Sequence, residues 1–229
     1  MFVELPEGDY RRLVPNALTI LRIFIALAFF ILLSVWNYPV RDLITEAKVS
    51  PRDPLWAYLI AAVLFGLAAL TDAFDGPLAR RWKVVSKFGR IMDPFADKVL
   101  VVGSFVMLSG PRFGAEMPDG SILHVSGVQP WMVVLILGRE LLVTSIRAVS
   151  EEGGKDFSAS WSGKAKMIVQ ACVIPTILIV LGLSEVGRGT IGRWVIDVLV
   201  WITVAVTAIS GWPYVVRGMS GAFRIGVSK

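Results

Sequence analysis

The 229-residue chain is 55% hydrophobic and only 18% charged, a balance that excludes an ordinary soluble domain and points to an integral membrane protein. Its net charge of +5 is distributed loop by loop rather than gathered on one polar face, so it is not read as a nucleic-acid surface. Cys172 is the only cysteine, which excludes an internal disulfide, and it is expected to pack inside the bundle.

In chain order, residues 1–14 are polar and mixed, with Tyr10, Leu13 and Val14 beside Arg11 and Arg12, and are expected to form a short interfacial segment. Pro15 suits a helix start, and Asn16 or Thr19 can satisfy the free N–H groups of the first span. Asn16 and Arg22 are read either as cap and interface anchor or as part of a polar site. Charge-free runs follow at Ile23–Val40, Pro54–Thr71, Met167–Ser184 and Val198–Val216, each 18 or 19 residues and so about long enough to cross the hydrocarbon core. Two further spans, near residues 91–110 and 130–150, carry charges. The expectation is an all-α polytopic membrane protein, one domain over residues 1–229 with six transmembrane helices. The first apolar run lacks a small-residue cleavage site at its end and is expected to remain as a helix.

Loop charge sets the expected orientation. With six spans, fourteen Lys and Arg fall on the side of the termini and six on the other, which predicts both termini and the acid-rich loop in the cytoplasm. Residues 41–53 balance three positive and three negative side chains around Pro51, as expected of a short outer loop. Residues 111–129, punctuated by Pro and Gly, form a second outer loop holding the lone His124, which is not expected to bind metal.

The chemistry concentrates between Asp72 and Asp97, in the pattern D-x2-D-G-x2-A-R-x8-G-x3-D-x3-D, with eight specified positions over twenty-six residues. Asp72 and Asp75 are three apart and Asp93 and Asp97 four apart, so on helices each pair shares a face and two helices can turn four carboxylates toward one point. Uncompensated at helix centres in a membrane, such a set costs on the order of 10 kcal/mol, so a bound cation is expected. Hard oxygen donors without His or Cys favour Mg2+ or Mn2+, and two ions between carboxylates suit displacement at phosphorus. Gly76 and Ala79 lie four residues after Asp72 and Asp75, and Gly89 four before Asp93, so the helices are thin where a diphosphate could approach. Arg80 offers a planar fork of donors to phosphate. Pro77 is expected to disturb the helix.

This stretch resembles the signature of the CDP-alcohol phosphatidyltransferases, membrane enzymes that join the phosphatidyl group of a CDP-linked lipid to an alcohol and release CMP. The resemblance implies that Asp97 accepts the proton of the acceptor hydroxyl, and that Ser86, otherwise a simple helix cap, contacts the nucleotide beside Gly76, Ala79, Arg80 and Gly89. It also implies a homodimer. The Pro15–Arg22 opening, Arg139-Glu140 and the run Ser160–Lys166 are similar to the phosphatidylglycerophosphate-forming branch, so the likeness extends from residue 15 to about 170. That branch implies CDP-diacylglycerol and sn-glycerol 3-phosphate as substrates, with a cytoplasmic-side active site in the inner membrane.

Charge matching bears on the acceptor. Arg139, Arg147, Lys164 and Lys166 offer fixed cations for a phosphate, whereas choline would favour aromatic faces. Alternatively, Arg139 and Glu140 form a structural network, and Lys164 and Lys166 snorkel to the interface. Other acceptors, as in a cardiolipin or phosphatidylinositol-phosphate synthase, stay open. A reading from another class is a divalent-cation transporter, which leaves Gly76, Ala79, Arg80 and Gly89 unexplained. The last helix, with Asp197 and its tryptophans, is assigned no function.

Overall fold

The computed structural model describes residues 10–36, 55–82, 87–116, 121–152, 161–184, 186 and 190–225. Six helices dominate: α1 (Tyr10–Val35), α2 (Leu55–Trp82), α3 (Lys87–Leu108), α4 (Pro130–Glu152), α5 (Trp161–Leu183) and α6 (Ile191–Ile225). Within them Asn16–Val35, Ala165–Leu183 and Ile191–Val216 are long and apolar enough to cross a membrane, with mean hydropathies of 2.6, 2.1 and 1.9. The apolar part of α2, Trp56–Asp72, is shorter. Helices α3 and α4 have 22 and 23 residues, about 33 Å of helix each, but Asp93, Asp97 and Lys98 interrupt one and Arg139 and Glu140 the other.

Helix periodicity explains how these segments meet. On α1 the buried residues Thr19, Arg22, Ala26, Phe29 and Leu33 recur every three or four positions, while Phe24, Leu27, Ile31 and Val35 stay exposed. That buried stripe lies against α2 and α3. Phe29 meets Phe65 of α2 with ring centroids 5.9 Å apart. Gly103 lets α3 come close, because a Cβ there would stand 2.6 Å from the Phe30 ring. Helix α5 packs between α2 and α6, and α4 leans on α6. Ile174, Ile177, Leu178 and Leu181 of α5 fill the shared core.

Four expectations need correction. The helix α1 already begins at Tyr10, before the expected start at Pro15, while residues 1–9 of the expected interfacial segment lie outside the described residues. The α2 helix runs through Pro77 to Trp82. The loop after α3 is not wholly irregular: β1 (Gly114–Glu116) and β2 (Ile122–His124) pair antiparallel, with Gly114 opposite His124 and Glu116 opposite Ile122. Cys172 is exposed on α5 rather than packed inside. The expected outer loop at residues 41–53 lies outside the described residues.

The hairpin is fastened to the start of α6. Thr190 accepts a bond from the Arg193 N–H at 3.3 Å, capping that helix. The Arg193 side chain donates through Nε to Asp197 Oδ2 at 2.9 Å and through Nη1 to the His124 carbonyl oxygen. Burial, and then the Arg193 charge, lower the His124 pKa, so the imidazole stays neutral here. Asp197 therefore has a structural partner that sequence reading did not assign. Gly127 turns the chain between β2 and α4 with φ of 69°, and a Cβ on it would stand 2.8 Å from Ile196 Cγ2. Gly127→Ala is expected to destabilise the protein by about 1–3 kcal/mol, read as a lower melting temperature in detergent. An unchanged melting temperature would mean this turn is not tightly held.

Candidate active site

A layer of polar side chains crosses the otherwise apolar bundle. Arg22 of α1, fully buried, holds Asp72 of α2 through Nη1 and Oδ1 at 2.6 Å. One turn earlier on α1, Thr19 donates to Asp93 Oδ1 of α3 at 2.6 Å. Asp97, one turn beyond Asp93, lies within electrostatic reach of Asp72, Lys166, Arg22 and Glu140. Pro94 falls between the two α3 acids and withholds the backbone donor that would meet the carbonyl four residues earlier. Gly89 is half-buried at the start of the same helix.

Beside the acids lies a cationic group built from α4, α5 and α6. Glu140 Oε1 receives Arg139 Nη1 at 2.9 Å and Lys166 Nζ at 2.6 Å, and all three side chains are at most 13% exposed. The Arg139 guanidinium lies 6.0 Å from the centroid of the buried Tyr214 ring. Gly211 leaves room for its stem, since a Cβ there would stand 3.0 Å from Arg139 Cγ. Deeper in the bundle, Gln170 donates to Thr207 at 3.3 Å. On the far side of α3, Lys98 donates to Thr144 of α4 at 2.6 Å.

Acids and cations open into one cavity of about 170 Å3, lined by Arg22, Asp72, Asp97 and Lys166 around an apolar floor that includes Phe65 and Leu100. Of the residues predicted from sequence, the structure brings together Asp72, Asp93, Asp97, Arg139 and Lys166. Lys166 does not snorkel outward; it is buried on Glu140. Asp75, Gly76, Ala79 and Arg80 lie on the last turns of α2, Arg147 on α4 and Lys164 on α5, but their side chains fall outside the described residues, as does all of Ser86. Thr19 and Tyr214 were not assigned to the site. Thr19 was legible, because Asn16, Thr19 and Arg22 are spaced three apart on one face. Tyr214 was not, since one aromatic in an apolar run carries no signal.

No three acids among the described residues stand close enough to enclose a metal ion by themselves. Two of them are turned toward α1, and the Asp75 side chain is not described. The donor chemistry nevertheless fits a hard divalent cation: Asp72, Asp93 and Asp97 bring three carboxylates against one guanidinium in a low-dielectric setting.

The chain matches the CDP-alcohol phosphatidyltransferase model over residues 12–209 and belongs to that family of membrane enzymes. Enzymes of the family generally use divalent metal ions. The chain is also similar to the CDP-diacylglycerol–glycerol-3-phosphate 3-phosphatidyltransferases of Cereibacter sphaeroides and Bacillus subtilis. It is 28% identical to the first, over 88% of this chain and 93% of the relative, and 29% identical to the second, over 88% and 92%. The Sodalis glossinidius enzyme of the same name is 36% identical over 54% of this chain and 62% of its own.

Glu140 is the carboxylate that pairs directly with both buried cations, and its loss removes both ion pairs. Glu140→Ala is expected to cost about 3–5 kcal/mol of stability. Thermal unfolding in detergent checks this, and a change within the scatter of surface substitutions would show that the triad contributes little.

Proposed function

We propose that the protein transfers the phosphatidyl group of CDP-diacylglycerol to sn-glycerol 3-phosphate, giving phosphatidylglycerophosphate and CMP. The observation that carries the reading is the shared cavity, whose lining combines the carboxylates Asp72 and Asp97 with the cations Arg22 and Lys166. Such a cavity suits a diphosphate next to an anionic acceptor. The activity for which the Cereibacter sphaeroides and Bacillus subtilis relatives are named, matched over most of the chain, supports the same substrates.

In this mechanism Asp72, Asp75, Asp93 and Asp97 would hold Mg2+ or Mn2+, two ions in number. When bound, the ions offset the charge of the diphosphate. Gly76 and Ala79 leave space for the CDP moiety, with Gly89 opposite, while Arg80 and Ser86 supply donors to it. The acceptor hydroxyl attacks the phosphorus that bears the diacylglycerol, and the bond from that phosphorus to the CMP oxygen breaks. Asp97 takes the proton of the attacking hydroxyl. Arg139, Arg147, Lys164 and Lys166 receive the acceptor phosphate. Glu140 tempers two of these cations, holding them in place without cancelling the cluster. The site faces the cytoplasm with both termini, as loop charge suggests, and by resemblance the enzyme works as a homodimer. Membership of the family sets aside the transporter reading.

The direct test is CMP release by purified protein given CDP-diacylglycerol and a panel of alcohols. Glycerol 3-phosphate should be the preferred acceptor, EDTA should abolish turnover, and Mg2+ or Mn2+ should restore it. Faster release with an uncharged alcohol would overturn the acceptor assignment, and full turnover after exhaustive chelation would overturn the metal assignment. Asp97→Asn keeps side-chain size and removes the proton acceptor, so turnover should fall about 10²–10⁴-fold with little change in nucleotide binding. Near-normal turnover would take Asp97 out of that role.

The acceptor pocket makes a separable prediction. Arg139→Ala and Lys164→Ala should each raise the Michaelis constant for glycerol 3-phosphate roughly 10- to 150-fold, the loss of one charge-assisted hydrogen bond. The constant for CDP-diacylglycerol should hold. An unchanged acceptor constant in both variants would place the phosphate elsewhere.

A further inference from the structure

The acids are closed on a third side by α1, a helix outside the eight-position motif. Thr19 and Arg22 are three apart on its buried face, 1% and 0% exposed. Each engages one motif acid, Asp93 on α3 and Asp72 on α2, at 2.6 Å. Among the described residues Arg22 is the largest fully buried side chain. A guanidinium placed among apolar helices is costly unless an anion compensates it. The carboxylate in direct contact with it, Asp72, is one that the proposed reaction needs for divalent cations.

We propose that α1 is a working wall of the cation centre: Arg22 is the resident counter-cation of Asp72, and Thr19 orients Asp93. The inference rests on the metal reading of the proposed function. With the divalent cation away, the acids of α2 and α3 would repel one another across a low-dielectric gap, and Arg22 offsets part of that repulsion. A divalent cation held by Asp72 would stand near the Arg22 charge, and that repulsion would keep binding reversible. Thr19 acts through Asp93: its hydroxyl fixes one carboxylate oxygen, as outer hydrogen bonds commonly fix metal-binding carboxylates. Both are positioning residues, not groups that touch the reacting atoms.

Two consequences separate this arrangement from simple packing. Removing the Arg22 charge destabilises mainly the cation-free protein, so by linkage the divalent cation then binds more tightly. Removing the Thr19 hydroxyl leaves Asp93 free to turn, so the cation binds more weakly.

The test uses the full chain in detergent, with thermal unfolding in EDTA and in saturating Mg2+, and calorimetric titration with Mg2+. Wild type should melt higher in Mg2+. Arg22→Met should lose several degrees in EDTA, recover most of them in Mg2+, and bind Mg2+ about tenfold tighter. Arg22→Lys should restore most of the stability in EDTA. Thr19→Val should weaken Mg2+ binding about 10- to 100-fold. Equal losses for Arg22→Met in both conditions, or failure to fold even in saturating Mg2+, would make Arg22 a packing residue and overturn the inference. Unchanged Mg2+ affinity in Thr19→Val would remove Thr19 from the centre. If Mg2+ neither binds nor stabilises the wild type, the metal reading itself fails, a result distinct from failure of the two variants.

Discussion

Carboxylates held together in a low-dielectric bundle repel one another, and the working end of this protein is arranged around that repulsion. Asp72, Asp93 and Asp97 approach from α2 and α3, and α1 answers with a buried guanidinium and a hydroxyl. A second balance stands next to it, where Glu140 holds Arg139 and Lys166. Each balance is incomplete in the useful sense: the acids keep an excess of negative charge and the neighbouring triad an excess of positive charge. A cavity between such groups suits a substrate pair in which one partner brings a diphosphate that needs cations and the other a phosphate that needs fixed positive side chains. The apolar floor formed by Phe65 and Leu100 fits a reaction carried out at the edge of lipid.

The rest of the fold serves to hold those helices in register. Phe29 against Phe65 and Phe30 over Gly103 fix α1 to α2 and α3, so Thr19 and Arg22 meet their acids. At the opposite end, Arg193 joins Asp197 to the hairpin at His124, and Gly127 lets the chain turn into α4. That clasp has no group in common with the acid cavity. Its residues are structural, while the residues at the other end are placed at an energetic cost that packing alone does not explain.

Much of this was legible from the sequence, and the reasons differ by feature. Four of the six helices follow from charge-free apolar runs, and the shared face of Asp93 and Asp97 on α3 from their four-residue spacing, because both depend on local geometry. The pairing of Lys166 with Glu140 was not legible: it joins residues twenty-six apart on different helices, and spacing within one helix says nothing about which neighbour it faces. For the same reason Arg22 stood open between interface anchor and site residue until α1 was placed against α2. The exposure of Cys172 went unforeseen because an apolar run in a membrane protein has no inside face until its neighbours are known.

The central claim is that the acids of α2 and α3, closed by α1, form one cation-binding centre. Electron paramagnetic resonance of Mn2+ titrated into the purified protein tests it directly, since free and bound Mn2+ give distinct signals. Saturable binding in wild type that is lost or greatly weakened in both Asp75→Asn and Asp93→Asn is the predicted result. Wild type that binds no Mn2+, or variants that bind it as well as wild type does, would contradict the account.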